Sequence, residues 1–541
     1  MVNSLVQPSK ALGYTDIYLD FVAGNDQSGH FYLAKNLADV ANRLDEVSFE
    51  RKAMVDVLTR QNKLYDAGEK TFAHIREITD PDAVCVFAGQ QAGFLGGPMY
   101  TIIKALATIK AARTYREQLG RPVIPMFWIA GDDHDFEEVN HTSVLDRQGE
   151  VTELAYRTPP PKEVSTAEIV FSDNEELSNA KEQLKEALGE TDFTPDLYDL
   201  IDRSYTSQDT MCSAFGKLMA GLTREFGLVL FCPGDPVVKR IAVPLFKQII
   251  ANQNQLHDIL VRRNNEIVQS GYHIQVEKKD NAAHLFYNID GRTPVLRDGD
   301  GFTVGEKRFS REELERCIED HPERFSPDVI TRPILQSFLL PTVSQKGGPA
   351  EIAYLAQINP IFNLFGLPAP VHRARPTVTI IEKRFEKLMK QHDISFEEIT
   401  GDIEQVINRI LQETFPQDLE RHFAQLKQDV EQRFKEFLEE SLEFDPNLKQ
   451  VGKQSYGKID YTLKQFEGKV FSSHKKKSKQ ARDRIYRLWH ALYPNRGFQE
   501  RTINAAYFIS RYGFGFVHAL YEAMDSEETA HQLIHLSEVN L

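Results

Sequence analysis

One stretch decides the fold of this chain: Val84-Cys-Val-Phe-Ala-Gly-Gln-Gln-Ala-Gly-Phe-Leu-Gly-Gly-Pro-Met-Tyr100. Its apolar β-type run ends at Gly89, a glycine-rich loop follows, and helical spacing begins after Pro98 and continues to about Gly120. A strand that leads through such a turn into a helix directs backbone N–H groups and a helix dipole toward one place, which suits phosphate or carboxylate. The stretch therefore predicts a nucleotide- or acid-binding α/β enzyme. The predicted anion site consists of the loop glycines Gly89, Gly93, Gly96 and Gly97.

The spacing of these glycines leaves an alternative open. They read Gly89-x3-Gly93-x2-Gly96-Gly97, which is neither the dinucleotide fingerprint nor a Walker A loop. Lys104 lies well inside the helix and therefore cannot act as a P-loop lysine. A tight connection between strand and helix, without a ligand, is the alternative for this loop.

Further short apolar runs indicate the other strands of a sheet. Helical segments separate most of them, and this alternation is typical of parallel strands with crossover helices in a doubly wound, Rossmann-like α/β core. The predicted strands after the first are residues 123–130, 228–232, 273–276, 338–343 and 369–372. We place the core at residues 81–376, preceded by a helical part at 1–80 that packs on it. The core contains insertions at about 141–227 and 277–325, and turn signals in the second predict small hairpins.

Beyond Pro376 the sequence changes to long charged helices. Apolar residues step by threes and fours along two runs, and Asp445-Pro446-Asn447 separates the runs. Two long helices joined by such a turn predict an antiparallel coiled-coil arm at residues 377–490, followed by helices at 491–541. An amphipathic arm must bury its apolar stripe against itself, the core or a second subunit, and of these we predict a homodimer formed through the arm.

Composition excludes several classes of protein. The 541 residues carry a net charge of -15, so nucleic acid is not an expected partner. No apolar run approaches the roughly 20 residues that span a bilayer, and the N-terminus lacks the order of a signal peptide. The four cysteines form no C-x-x-C pair, which argues against a disulfide framework and a zinc knuckle. We expect a cytoplasmic protein without membrane partners.

The second predicted strand is followed by a dense acidic cluster, Asp132-Asp-His-Asp-Phe-Glu-Glu138. In an open α/β sheet, ligands bind beyond the carboxyl ends of the strands, where these side chains could orient an amine, transfer protons or hold a divalent cation. We assign catalytic roles to Asp133, His134 and Asp135. The alternative is that Asp132 and Asp133 cap a helix beginning near Phe136 and that the other residues of the cluster are solvated. No metal is assigned, because the spacing is not H-E-x-x-H and nothing fixes a third ligand.

A second strand, Gly-Gly-Pro turn and helix pattern lies at residues 341–354. Glu351 falls in the first helical turn, where it either complements the helix dipole or points into the crevice and binds an amino group. After the last predicted strand come Arg373 and Arg375, whose equal parity would turn them to one side of an extended strand. Either arginine could meet a phosphate or a dicarboxylate, and solvation at the surface is the alternative.

Taken together, these segments resemble the bacillithiol-biosynthesis cysteine-adding enzymes, the BshC family. The motifs that carry the resemblance keep the family's order over nearly the whole chain: Ala88-Gly-Gln-Gln-Ala-Gly93, Gly97-Pro-Met-Tyr100, Phe127-Trp-Ile-Ala-Gly-Asp-Asp-His-Asp-Phe136, Arg332-Pro333, Gly347-Gly-Pro-Ala-Glu-Ile-Ala-Tyr354, Leu492-Tyr-Pro-Asn495 and Gln499-Glu-Arg501. The resemblance implies a Rossmann-like core similar to class I aminoacyl-tRNA synthetases, two connecting insertions and a dimerising coiled-coil arm. Cys232 departs from the family's pattern, and no catalytic role is assigned to it.

Membership in this family would imply a ligase that joins L-cysteine to the amino group of glucosaminyl-malate. Amide formation from a free carboxylate is uphill, so we expect ATP as co-substrate and a cysteine adenylate. Besides Glu351, Arg373 and Arg375, the predicted substrate-binding residues are Gln90, Gln91, Tyr100, Trp128 and Tyr354. Two alternatives stay open. One is a nucleotidyltransferase or tRNA-charging synthetase, which the acidic composition disfavours, and the other is a non-catalytic coiled-coil scaffold, which the acidic cluster disfavours.

Overall fold

The structure is a computed structural model that describes residues 4–289, 291–413, 416–477 and 479–539. The chain divides into two compact units. The first combines Met1–Lys383 with Gly497–Leu541, and the second is Arg384–Arg496. All strands in the described part of the chain belong to the first unit.

Five parallel strands form the central sheet of the first unit. In chain order they are β1 (Val84–Gln90), β2 (Val123–Ile129), β3 (Val229–Phe231), β4 (Thr342–Gly347) and β5 (Val371–Ala374). Their spatial order is β5-β4-β1-β2-β3, and every neighbouring pair is parallel. Parallel strands are covered on both faces and are therefore apolar throughout, and every residue of β2 is buried. The sheet confirms the predicted Rossmann-like α/β core.

Two helices follow strands of this sheet at the predicted places. The first, α1 (Tyr100–Leu119), follows β1 and ends where Gly120 adopts a φ of 66°, which glycine reaches without a Cβ penalty. The second, α2 (Pro349–Ile358), follows β4 and has a proline at its first position, where the missing N–H costs no hydrogen bond. Because the strands are parallel, the turns after β1, β2 and β4 meet at one edge of the sheet.

Two predicted strands differ from the structure. Residues 273–276 form no strand, and the Gln357 side-chain amide takes the place of a neighbouring strand there. Its oxygen accepts from the Val276 N–H, and its nitrogen donates to the Val276 carbonyl, both at 3.0 Å. The apolar run at 338–343 divides between the end of a helix, Arg332–Leu339, and the start of β4. β4 then continues through buried polar residues, which apolarity alone does not predict.

Apart from β3, the region between β2 and the second insertion is a hairpin followed by helices. The hairpin pairs His141–Leu145 with Val151–Ala155. Around and after it come the helices Phe136–Val139, Asn174–Leu188, Thr194–Ser204, Met211–Leu222, Pro236–Ile241, Val243–Ala251 and Gln253–Gln269.

An antiparallel sheet follows, in agreement with the hairpins predicted at 277–325. Its strands, in spatial order, are Lys307–Phe309, Gly301–Val304, Arg292–Asp298, Ala282–Asn288 and Phe325–Pro327. The helix Arg311–Asp320 lies in the same region, and Arg332–Leu339 follows it. Residues at one end of this sheet, and of the segments beside it, lie at the carboxyl edge of the central sheet and contribute to the cavity described below.

A third sheet unites both ends of the first unit, in regions whose sequence reads as helical. Ser4–Val6 pairs antiparallel with His531–His535, which pairs in parallel with Thr377–Ile381. Strands this short, with partners far away in the sequence, leave no local signal. Further helices of this unit are Asp16–Val22, Asp26–Gly29, Leu37–Leu44, Arg51–Leu64, Glu69–Glu77, Ile361–Leu364, Gln499–Thr502, Ala506–Tyr512 and Gly515–Ala523.

The second unit contains two long helices, α3 (Gln417–Phe444) and α4 (Leu448–Lys477). They run antiparallel, because Phe423 packs against Phe466 near one end and Phe434 against Tyr456 nearer the turn. This pair confirms the predicted coiled coil. Shorter helices flank it in sequence: Lys383–Gln391, Phe396–Thr400, Ile403–Glu413 and Lys479–Leu492. Across the described residues of both units, no helix combines the length and apolarity needed to cross a membrane.

Candidate active site

A cavity of about 590 Å³ opens at the carboxyl edge of the central sheet. Gln90 and Gln91 reach it from the end of β1, Asp132 and Asp133 from the turn after β2, and Glu351 from the first turn of α2. This volume is within the range of sites that bind small molecules. Three motifs that stand out in the sequence therefore share one cavity.

Glu351 and Lys104 form a buried ion pair in the cavity wall. Lys104 Nζ lies 2.6 Å from Glu351 Oε2 and donates to the Gly89 carbonyl and to Gln90 Oε1 at 2.9 Å each. A helical side chain points back toward the helix N-terminus, so Lys104 reaches the end of β1 from inside α1. Burial opposes ionisation of Glu351, but Lys104 and the Gly348 N–H hold the pKa of its carboxyl below the usual value. Glu351 thus caps α2 and also presents a carboxylate to the cavity.

Asp132, which was not among the predicted catalytic residues, lines the cavity beside a buried lysine. Lys239 Nζ lies 2.6 Å from Asp132 Oδ1, and the lysine side chain is 2% exposed. The second carboxylate oxygen, Oδ2, is buried and has no hydrogen-bond partner within the described residues. A buried acceptor without a donor costs free energy, so a ligand ammonium or hydroxyl group at this place would be stabilised.

Gln91 joins two further carboxylates that line the cavity. Its Nε2 donates to Asp133 Oδ2 at 2.8 Å and to Glu138 Oε2 at 2.9 Å. Asp133 Oδ1 accepts the N–H of His134 at 2.8 Å, which fixes the orientation of the carboxylate. Asp133 is partly exposed and Glu138 is exposed, so both carboxylates can accept hydrogen bonds or a proton from a bound amine.

His134 and Asp135 lie beside the cavity and not in its lining. His134 Nδ1 lies 3.2 Å from a guanidinium nitrogen of Arg292, which does line it. The Asp135 carboxylate accepts the Glu138 N–H at 3.3 Å and caps the helix Phe136–Val139. Of the three predicted catalytic residues, Asp133 is therefore the one that faces the cavity. Asp135 instead caps the short helix, a role that the alternative from the sequence gave to Asp132 and Asp133.

Arg292 brings a cation into the cavity from the inserted antiparallel sheet. Its guanidinium carbon lies 3.7 Å from the centre of the Phe286 ring, and it donates to the Pro327 carbonyl at 3.1 Å. Burial lowers the pKa of the guanidinium, and nearby carboxylates oppose this effect. These carboxylates are Asp132, Asp133 and Asp328.

Arg332 and Lys278 add two more cations to the lining. Arg332 donates to the Tyr354 hydroxyl at 3.0 Å, and its guanidinium lies 5.9 Å from the centre of the Trp128 ring. A guanidinium has five N–H donors, so Arg332 keeps capacity for a carboxylate or phosphate. Trp128 and Tyr354, both predicted to bind substrate, line the cavity and also support this arginine.

Asp328 is the carboxylate nearest to Lys278 in this wall, at 3.6 Å. His284 Nδ1 lies 3.0 Å from Asp328 Oδ2, and the N–H groups of Ile330 and Thr331 donate to Oδ1. Burial opposes ionisation of Asp328, but His284, Lys278 and the backbone N–H of Thr331 lower the pKa of its carboxyl to about 2. The carboxylate therefore stays ionised at neutral pH.

We expect Asp328 to make unfolding pH-dependent in acid. Its folded pKa is depressed, so its stabilising contribution is complete above the ordinary value of 3.8 and disappears as the pH falls toward about 2. That contribution is on the order of 2 kcal/mol. In urea titrations, the difference in unfolding free energy between wild type and Asp328→Asn should narrow as the pH falls through this range. A difference that stays constant would contradict the assignment.

The loop glycines do not form the predicted anion site. Gly89 is the one of the four that lines the cavity. The N–H groups of the other three donate to carbonyls inside the loop, in the pairs Gly93 to Gln91, Gly96 to Gly93 and Gly97 to Phe94. The Asn504 side chain binds the same loop through the carbonyls of Leu95 and Gly97. The loop is a packed connection between β1 and α1, which was its alternative.

Arg373 and Arg375 bind acids elsewhere in the first unit and are absent from the lining. Arg373 lies 3.9 Å from Glu527, at the half-exposed surface. Arg375 follows the end of β5 and forms a buried ion pair with Glu500 at 2.8 Å. Side chains two residues apart share one face only within an extended strand. The strand ends at Ala374, between the two arginines, so they do not lie together.

Tyr100 lies behind the lining and supports it. Its hydroxyl accepts a hydrogen bond from Gln90 Nε2 at 2.9 Å. Burial raises the pKa of this hydroxyl, so it remains protonated at neutral pH. Tyr100 is therefore a positioning residue for Gln90, although the sequence predicted direct contact with substrate.

The cavity combines acceptors and cations in one volume. Asp132, Asp133 and Glu138 can accept hydrogen bonds from an amine, while Lys278 and the two arginines can bind carboxylate or phosphate. These cations come from the second insertion and the helix after it, where the sequence offers turn signals and no strand end. The available signal was Arg332-Pro333, one of the motifs that carried the resemblance.

Fold and cavity define a class: a Rossmann-like α/β protein with a polar small-molecule cavity and a coiled-coil unit. The N-terminal Rossmann-like domain of bacillithiol biosynthesis BshC matches residues 3–376, and the C-terminal coiled-coil domain of the same proteins matches residues 378–536. The chain belongs to the BshC family, which confirms the resemblance read from its motifs.

Relatives of similar length carry the name "Putative cysteine ligase BshC". The protein of Bacillus cereus (strain ATCC 10987 / NRS 248) is 31% identical over 499 residues, which cover 91% of this chain and 92% of the relative. The protein of Koribacter versatilis (strain Ellin345) is 31% identical over 515 residues, covering 94% and 95%.

Proposed function

We propose that this protein is a ligase that joins L-cysteine to the amino group of glucosaminyl-malate. The name of the relatives, cysteine ligase, and the family's place in bacillithiol biosynthesis support the reaction class. The observation that carries the proposal is the cavity that offers carboxylate acceptors beside the cations of Lys278, Arg292 and Arg332. An amino sugar linked to malate has the matching pattern of one amine and two carboxylates. The free thiols of all four cysteines fit the proposed cytoplasmic location.

In this proposal the cations hold the malyl carboxylates. Arg332 binds one carboxylate through paired N–H donors, and Lys278 binds the other. Asp132 Oδ2 and Asp133 accept hydrogen bonds from the sugar amine, and Asp133 takes the proton that the nitrogen loses when the amide forms. Holding the amine and the cysteine carboxyl carbon side by side lowers much of the barrier.

ATP is the proposed co-substrate and would supply the activation of the cysteine carboxylate as an adenylate. The donor set suits phosphate, because a guanidinium binds phosphate and carboxylate oxygens with the same paired geometry. We assign the phosphate contact to Arg292. The glycine loop is not proposed for it, because its N–H groups donate to carbonyls of the loop itself.

Mixing the purified protein with cysteine, glucosaminyl-malate and ATP tests both steps. We expect mass spectrometry to detect an amide-linked thiol product together with AMP and pyrophosphate. Product that forms without nucleotide turnover would reject ATP and keep the ligase. No product with any nucleoside triphosphate, from protein with a native circular dichroism spectrum, would reject the ligase.

Asp133 and Asp135 allow a matched comparison within one motif. Asp133→Asn keeps the shape of the residue but removes the proton acceptor, so we expect kcat to fall by about 100-fold or more. Asp135→Asn keeps a good capping residue outside the lining, so activity should remain near that of wild type. Both are measured by the rate of thiol product formation. Equal losses in the two variants would place the chemistry outside the cavity.

We further propose a homodimer formed by the second unit. Its two long helices leave large apolar side chains exposed, including Phe437 at 67%, Phe444 at 91% and Tyr461 at 64%. A second copy that covers this stripe would bury it. Light scattering should give the mass of two chains for wild type and of one chain for Phe437→Glu combined with Phe444→Glu. Leu64→Glu, at a comparably exposed apolar position of the first unit, should stay dimeric.

A further inference from the structure

Two of the four cysteines meet behind the cavity. Cys212 lies in the first turn of the helix Met211–Leu222, Cys232 directly follows β3, and both side chains are buried. A Cβ placed on Gly131 would come within 2.9 Å of Cys212 Sγ and 2.8 Å of Cys232 Sγ. Both sulfurs therefore pack against Gly131, the residue that precedes Asp132.

Side-chain contacts connect these thiols with each other and with the turn after β2. A hydrogen bond between the Cys212 thiol, as donor, and Cys232, together with burial, raises the pKa of the Cys212 thiol. Thr166 Oγ1 lies 3.7 Å from Cys212 Sγ and donates to the Gly131 carbonyl at 3.3 Å. The Thr166 N–H donates to the Asp133 carbonyl at 2.7 Å. The cysteine pair thus contacts the segment that carries two of the cavity's carboxylates.

We propose that Cys212 and Cys232 are a site of reversible disulfide formation, and that closing the bond alters the cavity through Gly131 and Asp132. Nothing in the proposed reaction uses these thiols. The bond itself is independent of the proposed ligase function, whereas its effect on catalysis rests on that function.

Hydrogen peroxide is the class of oxidant that fits, because it is small and uncharged and both thiols are buried. The Cys232 sulfur attacks one peroxide oxygen, the O–O bond breaks, and the leaving hydroxide takes the thiol proton as water. The Cys212 sulfur then attacks the resulting sulfenic acid, the S–O bond breaks, and a second water leaves. In total, two thiols lose two electrons and two protons, and one peroxide is reduced to two waters. The raised pKa of Cys212 makes the second step slow.

The cavity should respond because no space is left around Gly131. Two thiols in contact must approach to about 2 Å when they form a disulfide. A Cβ on Gly131 would lie closer to both sulfurs than real Cβ atoms lie to their neighbours, so the sulfurs already pack tightly against this glycine. The shift therefore displaces the backbone that orients Asp132 toward Lys239, at present 2.6 Å away. We expect the oxidised protein to bind the amine substrate more weakly and to turn over more slowly.

The test begins with the bond itself, in the full-length protein. Wild-type protein is incubated with hydrogen peroxide for hours, alkylated, digested without reductant and measured by mass spectrometry. We expect a linked pair of peptides that contain Cys212 and Cys232, lighter by two hydrogens than their sum and separated by dithiothreitol. Recovery of both cysteines as separate alkylated peptides after peroxide would overturn the site. This measurement requires no ligase activity.

The second measurement concerns the effect on the cavity. Peroxide should lower ligase activity at least several-fold, and dithiothreitol should restore it. Cys232→Ala and Cys212→Ala should each be insensitive, while Cys317→Ala, which removes a partly exposed thiol elsewhere, should respond like wild type. A linked pair with unchanged activity would overturn the coupling to Asp132. A linked pair in a protein that never forms amide under reducing conditions would reject the proposed ligase and leave the modification site standing.

Discussion

Lys104→Met should lower the free energy of unfolding of the first unit by about 3–5 kcal/mol, because it leaves a buried carboxylate without its cation. Glu351 would retain the Gly348 N–H at 2.8 Å but lose the ammonium group at 2.6 Å. The pKa of its carboxyl should then rise, since burial is the largest influence on it and the strongest opposing charge is gone. A urea titration followed by tryptophan fluorescence measures the loss, with Trp128 as the reporter of the first unit, and Trp489→Phe in the background removes the tryptophan of the second unit.

The same variant should also reduce ligase activity by about 100-fold, because the ammonium group holds three parts of the wall together. Lys104 binds the Gly89 carbonyl and the Gln90 side chain in addition to Glu351. Combining Lys104→Met with Glu351→Gln removes the unpaired charge and keeps an acceptor for the Gly348 N–H. Stability should then recover in large part while activity stays low. Recovery of both would mean that the ion pair serves the fold and not the site.

The sequence predicted the parts of the fold that depend on local apolarity. Residues 123–130 are apolar because a parallel strand is covered on both faces, and β2 lies there with one residue fewer. β4 was predicted too early because its second half is polar. Ser344 and Lys346 are buried there, and Lys346 donates to the Ser526 carbonyl and to Glu527, far away in the sequence. Such contacts with distant residues stabilise polar strands, and the sequence of the strand alone does not predict them.

The candidate site likewise contains residues that local sequence patterns predict and residues that they do not. Asp133 and Glu351 follow strand ends, so parallel topology alone brings them to one edge. Arg292 and Lys278 come from the second insertion. The insertion reaches that edge through tertiary packing, which no local sequence pattern predicts. The anion site at the loop failed for a related reason. Glycines in a loop leave backbone N–H groups free of side-chain cover, but the sequence does not tell which acceptors they find. Here loop carbonyls accept from these N–H groups, and Asn504 donates to other carbonyls of the same loop.

Arg332→Met should weaken binding of glucosaminyl-malate by about 100-fold, equivalent to about 3 kcal/mol, because a carboxylate loses its paired donors in a partly buried site. The change should appear in KM for the malyl-sugar, and in Kd by isothermal titration calorimetry. The KM for cysteine should change little. Arg332→Lys keeps the charge but not the fork of donors, so it should restore part of the affinity.

Arg373→Met is the control for Arg332→Met, because Arg373 was predicted from the sequence to bind substrate but lies outside the cavity. The sequence named Arg373, and not Arg332, as a candidate for binding the dicarboxylate, but Arg373 lies at the half-exposed surface beside Glu527 and not in the cavity. Arg373→Met should therefore leave both KM values near those of wild type. Arg332 differs from it in the Tyr354 hydroxyl and the Trp128 ring, which hold its guanidinium over the cavity before substrate arrives. Equal losses in the two variants would mean that net positive charge attracts the substrate, and the assignment of a carboxylate site to Arg332 would then be wrong.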